Sequence, residues 1–304
     1  MASATILIGT SGWSYPKGPG KWRGVFYPKG VRDELDYYAR HFKAVEVNST
    51  FYRPASPQTA KGWAERTPRD FIFAVKAWQK FTHPKMFQEA MGREAEIRRG
   101  DFELFKRGID PLMEAGKLGA LLLQFPPSFI STTEAREELR RTLDCFGEYP
   151  VAVELRHQSW GEAANLEETL TLKGATWVYI DEPKFRSSIR QTLKPIGNLL
   201  YLRFHGRNRE KWWEHKTPEE RYDYCYSEEE LLSFAEDLKN ILVRPDGPKK
   251  ILIFFNNHPR AQAVANALML KHQLGMPLEE GLEESLLSAF QNLKGFLPKT
   301  TLFG

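Results

Sequence analysis

Residues 199–206 read Leu199-Leu200-Tyr201-Leu202-Arg203-Phe204-His205-Gly206. Side chains of an extended chain alternate between two faces, so Leu200, Leu202 and Phe204 share one side and Tyr201, Arg203 and His205 the other. One face is apolar throughout. The other turns polar towards its C-terminal end, as expected of a (β/α)8 barrel strand that packs outward on helices and carries a site at its top.

The same design recurs along the chain. A strand over 44–48 sets Ala44, Glu46 and Asn48 against Val45 and Val47, and one over 151–156 sets Ala152, Glu154 and Arg156 against Val151, Val153 and Leu155. A strand over 71–76 aligns Ile72, Ala74 and Lys76, and one over 120–125 aligns Ala120, Leu122 and Gln124 before Pro126-Pro127. Further strands are predicted over 6–9, over 175–180 running into Asp181-Glu182-Pro183, and over 251–255 ending in Asn256-Asn257-His258. Helical spacing predicts helices over 32–42, 132–146, 165–172 and 228–242. A helical region between 84 and 117, with breaks at Gly92, Gly100 and Pro111, would add an extra layer. Strands alternating with helices argue a parallel sheet, and eight of them argue closure. The expectation is an α/β, (β/α)8 TIM barrel, a single domain over 1–304 with long βα loops. Gly9, Gly12, Gly18 and Gly20 do not form the dinucleotide fingerprint, which argues against an open Rossmann sheet.

A net charge of +4 from 43 basic and 39 acidic residues is too balanced for a general nucleic-acid or membrane surface. Cys145 and Cys225 are far apart and in no metal-ligand spacing, so two free thiols in a reducing cytoplasm are expected. No apolar run approaches the ~18 residues of a membrane span, and the start lacks the pattern of a secretory signal. A cytoplasmic protein follows, in which the sequon Asn48-Ser49-Thr50 carries no weight.

Several stretches together resemble one family. They are Gly9-Thr10-Ser11-Gly12-Trp13-Ser14-Tyr15, Gly24-Val25-Phe26-Tyr27-Pro28, Val45-Glu46-Val47-Asn48-Ser49-Thr50-Phe51-Tyr52, Phe73-Ala74-Val75-Lys76, Thr82-His83, Gln124-Phe125-Pro126-Pro127-Ser128-Phe129, Glu154-Leu155-Arg156-His157, Arg203-Phe204-His205-Gly206 and Asn256-Asn257-His258. The chain is similar to the YecE-like proteins, a TIM-barrel domain of unknown function (DUF72). The resemblance spans nearly the whole chain and implies the fold. It brings no settled activity.

One mouth of such a barrel would collect Glu46, Asn48, Lys76, Gln124, Glu154, Arg156, Asp181, Arg203, His205, Asn256 and Asn257, with His83, His157 and His258 just beyond the strands. So many polar groups inside a barrel require either a site or a mutually satisfied network, such as Glu46 and Glu154 paired by Lys76, Arg156 and Arg203. Two chemistries suit the set. In the first, Glu154, Asp181 and His205 bind a divalent metal (Mn, Mg or Zn), an arrangement similar to the xylose-isomerase-like barrels, which include sugar epimerases and abasic-site endonucleases. The departure is at strand eight, where this chain has Asn256-Asn257-His258 in place of a carboxylate. In the second, Glu46 and Glu154 act as acid and base beside Lys76 and Arg156, while Arg203 and His205 clamp an anion.

The expected catalytic set is therefore Glu46, Lys76, Glu154 and His205, and the substrate-binding set Asn48, Gln124, Arg156, Arg203, Arg207, Trp212, Asn256 and Asn257. Residues 207–226, rich in basic and aromatic side chains, read as a lid. His41, His215 and His272 read as packing or surface residues, and His157 as either a loop hydrogen bonder or a site residue. Trp13, Tyr15, Trp22, Phe51, Tyr52, Trp160, Trp212 and Trp213 would either stack on bases and sugars or pack the rim. The functional expectation is a hydrolase or isomerase acting on a small-molecule anionic substrate. A nucleic-acid-processing or nucleic-acid-binding protein related in architecture to abasic-site endonucleases is the first alternative, and a non-catalytic ligand-binding barrel the second.

Overall fold

The eight apolar runs form parallel strands: β1 (Thr5–Ser11), β2 (Ala44–Val47), β3 (Ile72–Lys76), β4 (Leu118–Gln124), β5 (Val151–Glu154), β6 (Thr176–Asp181), β7 (Leu199–Phe204) and β8 (Lys250–Phe255). The computed structural model describes residues 4–18, 20–92, 96–163, 166–197, 199–279 and 281–296. The strands pair in chain order and β8 returns to β1, giving a closed barrel. Parallel partners share a face. The register Ile180↔Arg203↔Phe254 therefore carries the inward direction of Arg203 to β6 and β8, while Asp181↔Phe204 carries the outward one.

β2 and β5 are shorter than expected, so Asn48 and Arg156 stand beyond the strand ends. At the start of the barrel the Tyr38 hydroxyl inserts between β1 and β2, accepting from Thr10 N at 2.9 Å and donating to Ala44 O at 3.0 Å. Only glycine fits beside it: a Cβ on Gly9 would lie 1.9 Å from the Ala44 carbonyl oxygen.

Helices cover the strands, with Val45, Val47, Phe204 and Phe255 buried beneath them. The helix Glu34–His41 is capped by Asp33, which accepts from the amides of Leu35 and Asp36. Helix Pro57–Glu65, absent from the sequence expectation, starts on Ser56 with Pro57 in its first turn, a legitimate starting signal. The helical region after β3 is divided into Gln79–Thr82, Pro84–Met91 and Arg99–Glu114. Gly92 ends the second of these with φ 62°, as the spacing predicted. Pro111 does not break the third. It lies inside, where burial of Phe105, Ile109 and Leu112 outweighs the hydrogen bond its missing N–H forfeits. Helix Glu228–Leu242 carries the capping box of Ser227 and Glu230.

Cys145 and Cys225 are free. Among the described residues no helix is long and apolar enough to cross a membrane.

Candidate functional site

Arg203 is the centre from which the site is built. It is 1% exposed, and its guanidinium spans the barrel. Nε and Nη2 donate to the two carboxylate oxygens of Glu46 on β2 at 2.9 and 2.7 Å, while Nη1 donates to Glu154 of β5 and to Gln124 Oε1 of β4 at 3.2 Å. Tyr201, one inward position below, donates to Glu46 Oε2 at 2.7 Å. The fork shape of a guanidinium is what lets one side chain bridge two carboxylates. Burial pushes the Glu154 carboxyl up, but Arg203 and Arg156 win and hold it well below the usual range.

A second guanidinium continues the network. Arg156 donates through Nε to Glu154 Oε1 at 2.6 Å and through Nη2 to His205 Nε2 at 3.0 Å. A guanidinium can only donate, so Nε2 of His205 accepts from Arg156, and on the other side of the ring Nδ1 lies 3.1 Å from Asn256 Nδ2. Burial and then the Arg156 charge push His205 down to about 3, which keeps this imidazole neutral. His83 and His258 are likewise lowered, to about 3 and about 4, chiefly by burial.

Above this layer opens a cavity of about 350 Å³. Its floor is Arg203, Lys76, Gln124, Asn48 and Asn256, and its walls come from residues 12–15, Ser49, Phe51, Tyr52, Tyr222 and His258. The lining contains two cationic side chains and no Asp or Glu. Glu46, Glu154 and His205 are 0% exposed and lie beneath it. The structure thus brings the expected residues together in two tiers: an ionic network below, and a chamber above that only some of them reach.

Lys76 is the amine that lines that chamber. It ends β3, half-buried, with Nζ 3.9 Å from the centre of the Phe51 ring. Among the described residues Nζ has no hydrogen bond or ion pair. Both carboxylates that would neutralise it are already committed to Arg203. Burial and the Arg203 charge therefore outweigh the pull of Glu154 and Glu46, and its pKa is lowered to about 7.

Four expected site residues are placed elsewhere. Asp181 has outward parity and accepts from Arg207 Nε and Nη2 at 2.9 and 2.8 Å and from the Tyr226 hydroxyl at 2.6 Å. Arg207, expected at the substrate, is consumed by this clamp and by Glu230 at 2.8 Å. Trp212, also expected there, is 2% exposed and packs edge-on to Tyr222. Asn257 turns from the chamber, donating to Tyr224 O at 2.7 Å and Asn266 Oδ1 at 2.8 Å. Of residues 207–226, Tyr222 is the one that reaches the cavity.

The metal set expected from the sequence does not fit. Glu154 is bonded by the guanidiniums of Arg156 and Arg203, His205 Nε2 accepts from that same Arg156, and Asp181 faces the other side of the sheet. Among the described residues no group of three or more His, Cys, Asp or Glu is arranged to hold an ion.

Glu182 occupies the inward place that Asp181 does not. It is 5% exposed, 3.4 Å from Arg156 Nη1, and its Oε2 makes no hydrogen bond. Burial raises its pKa. Extending the alternation Val178, Ile180 by one step would have found it.

The histidines outside the site are packing residues. His41 lies among Phe26 and Tyr37, and His272 stacks on Phe296 with centroids 4.1 Å apart. His157 caps the turn Gln158–Trp160 by accepting from Ser159 N at 3.2 Å.

Comparison with known proteins agrees with this architecture. The family described as "Protein of unknown function DUF72" matches residues 7–287. The UPF0759 protein YunF of Bacillus subtilis is 30% identical over 271 residues, 86% of this chain and 92% of its own. The UPF0759 protein YecE of Escherichia coli K12 is 32% identical over 168 residues, 54% of this chain and 53% of its own. A crystal structure of a DUF72 family protein from Thermotoga maritima is 36% identical, with a TM-score of 0.75, covering 89% of this chain and 99% of that one. With this fold and this match over most of its length, the chain belongs to the DUF72 family, whose function is unknown.

Proposed function

We propose that the protein is an enzyme, an isomerase or hydrolase, that takes a small polar, anionic substrate into the C-terminal mouth of the barrel and uses Lys76 to move a proton. One observation carries this reading: the chamber is lined by Lys76 and Arg203 with no carboxylate among its described lining residues. An anion entering there meets the Lys76 ammonium and the Arg203 guanidinium, and its own charge favours the protonated form of Lys76. A lysine with a pKa of about 7 is divided between base and acid near neutrality, the condition for efficient proton transfer. Glu46 and Glu154 then serve as positioning residues that fix Arg203. No step is routed through a metal, because the donor geometry does not fit one.

The size and rim of the chamber favour a small molecule over a nucleic acid. Trp13 packs edge-on to Trp63, and Tyr15 stacks on His258 at 4.4 Å, so these rings are used on one another. The test is a thermal-shift screen of phosphate esters, carboxylates and sugar acids against the wild type and Lys76→Met. A ligand at 100 times its Kd stabilises by about 2.7 kcal/mol. Stabilisation of the wild type by a particular anion, reduced in the variant, supports the reading. Equal response of both proteins to every anion overturns it.

A further inference from the structure

We propose that Lys76 forms a covalent imine with its substrate, so that the ligand of this mouth is a small anionic carbonyl compound, an oxo acid or an aldehyde or ketone bearing a carboxylate or phosphate. This deepens the reading above and rests on it. The geometry is that of an amine held for addition. Nζ stands against the Phe51 ring, opens into the chamber, and has no carboxylate or carbonyl partner among the described residues. Its neighbour across the floor is the guanidinium of Arg203, and a cation beside a lysine in an apolar surround is one way an amine becomes nucleophilic at neutral pH. A lysine kept solely to attract an anion would be served by full charge. Here desolvation and the Arg203 charge both oppose it.

The step is balanced. The Nζ lone pair adds to the carbonyl carbon, the C=O π pair moves to oxygen, and the two protons Nζ gives up leave with that oxygen as water, forming C=N. Addition of water reverses it. Uptake of one proton from solvent by the imine nitrogen gives an iminium that withdraws electrons from the adjacent carbon, which eases loss of a proton there and suits isomerisation. The anionic end lies over the Arg203 side of the floor, with Tyr222 and Asn256 lining the same chamber.

Full-length protein is incubated at pH 7 with glyoxylate or pyruvate, reduced with borohydride and mapped by peptide mass spectrometry, with ligand-dependent thermal shifts measured in parallel. Reduced adducts are expected at Lys76 at least about tenfold faster than at any surface lysine, because far more of this amine is uncharged. Lys76→Arg, which keeps a cation, is expected to lose the adduct and retain a thermal shift. Labelling spread evenly over surface lysines, while glyoxylate or pyruvate still stabilises the protein through Lys76, overturns the imine and leaves anion binding standing. Neither adduct nor stabilisation with either acid overturns the imine, while the wider anion screen tests the reading beneath it.

Discussion

Lys76 and Glu182 are two groups whose charged form burial in this barrel disfavours. Lowering the pKa of Lys76 from 10.5 to about 7 means that the unfolded chain binds more protons between those values, so stability rises with pH across that window. Lys76→Met is therefore expected to raise Tm below pH 7, with the gain fading towards pH 10.5, while abolishing ligand response. Unchanged Tm at pH 6 would contradict a desolvated amine. Arg203 stands opposite: removing it leaves Glu46 and Glu154 buried without their shared cation. Arg203→Met should cost about 3–5 kcal/mol in urea unfolding, as breaking a buried pair from one side does. A loss under about 1 kcal/mol would show that the network is not the structural floor described here. Glu182 escaped the sequence because the strand was ended one residue early, and the acidic pair Asp181-Glu182 offered two carboxylates with opposite parity.

At the scale of elements, the segment after β7 was expected to be a lid on the strength of its Arg and Trp content. Its Arg207 is instead committed locally, tying β6 to the start of helix Glu228–Leu242 through Asp181 and Glu230. Arg207→Ala should therefore destabilise by about 1–3 kcal/mol, more than an isolated surface substitution, without a specific loss of ligand affinity. Tyr222→Phe, altering a lining hydroxyl, should do the reverse, and paired thermal melts and ligand titrations read both. Composition could not separate these cases, because a cation's role depends on which carboxylate folds beside it. The strands were legible for the opposite reason. Their alternation is local, and one known inward residue, Arg203, sets the parity of neighbours through register. Helix Pro57–Glu65 was missed although Ser56-Pro57 marked its start, since only Ala60 and Trp63 are buried and its apolar stripe is weak.

For the whole molecule, closure of eight strands gathers inward strand ends from β2, β3, β4, β5 and β7 at one mouth. Which residues approach that mouth was readable from period and parity. Which of them line the chamber was not, because two tiers stack along the barrel axis and depth has no signature in sequence. Burial beneath the covering elements and around the mouth lowers the pKa values of His41, His83, His205 and His258 to about 3 or 4 from 6.5. The unfolded chain binds more protons below 6.5, so stability should fall as pH drops from 6.5 towards 4, with Glu154 adding to the loss below 4.5. Urea midpoints across that range check it, and a flat profile would contradict burial of neutral imidazoles. The claim on which the functional account turns is narrower: an amine divided between its charged and uncharged forms stands at the mouth near neutral pH. Carbon-13 labelling of lysine Cε, with Lys76 assigned by its loss in Lys76→Arg, reads that proton directly by NMR. The account predicts a titration midpoint near 7, moving upward when an anion binds non-covalently. A midpoint at the ordinary lysine value of about 10.4 would contradict it.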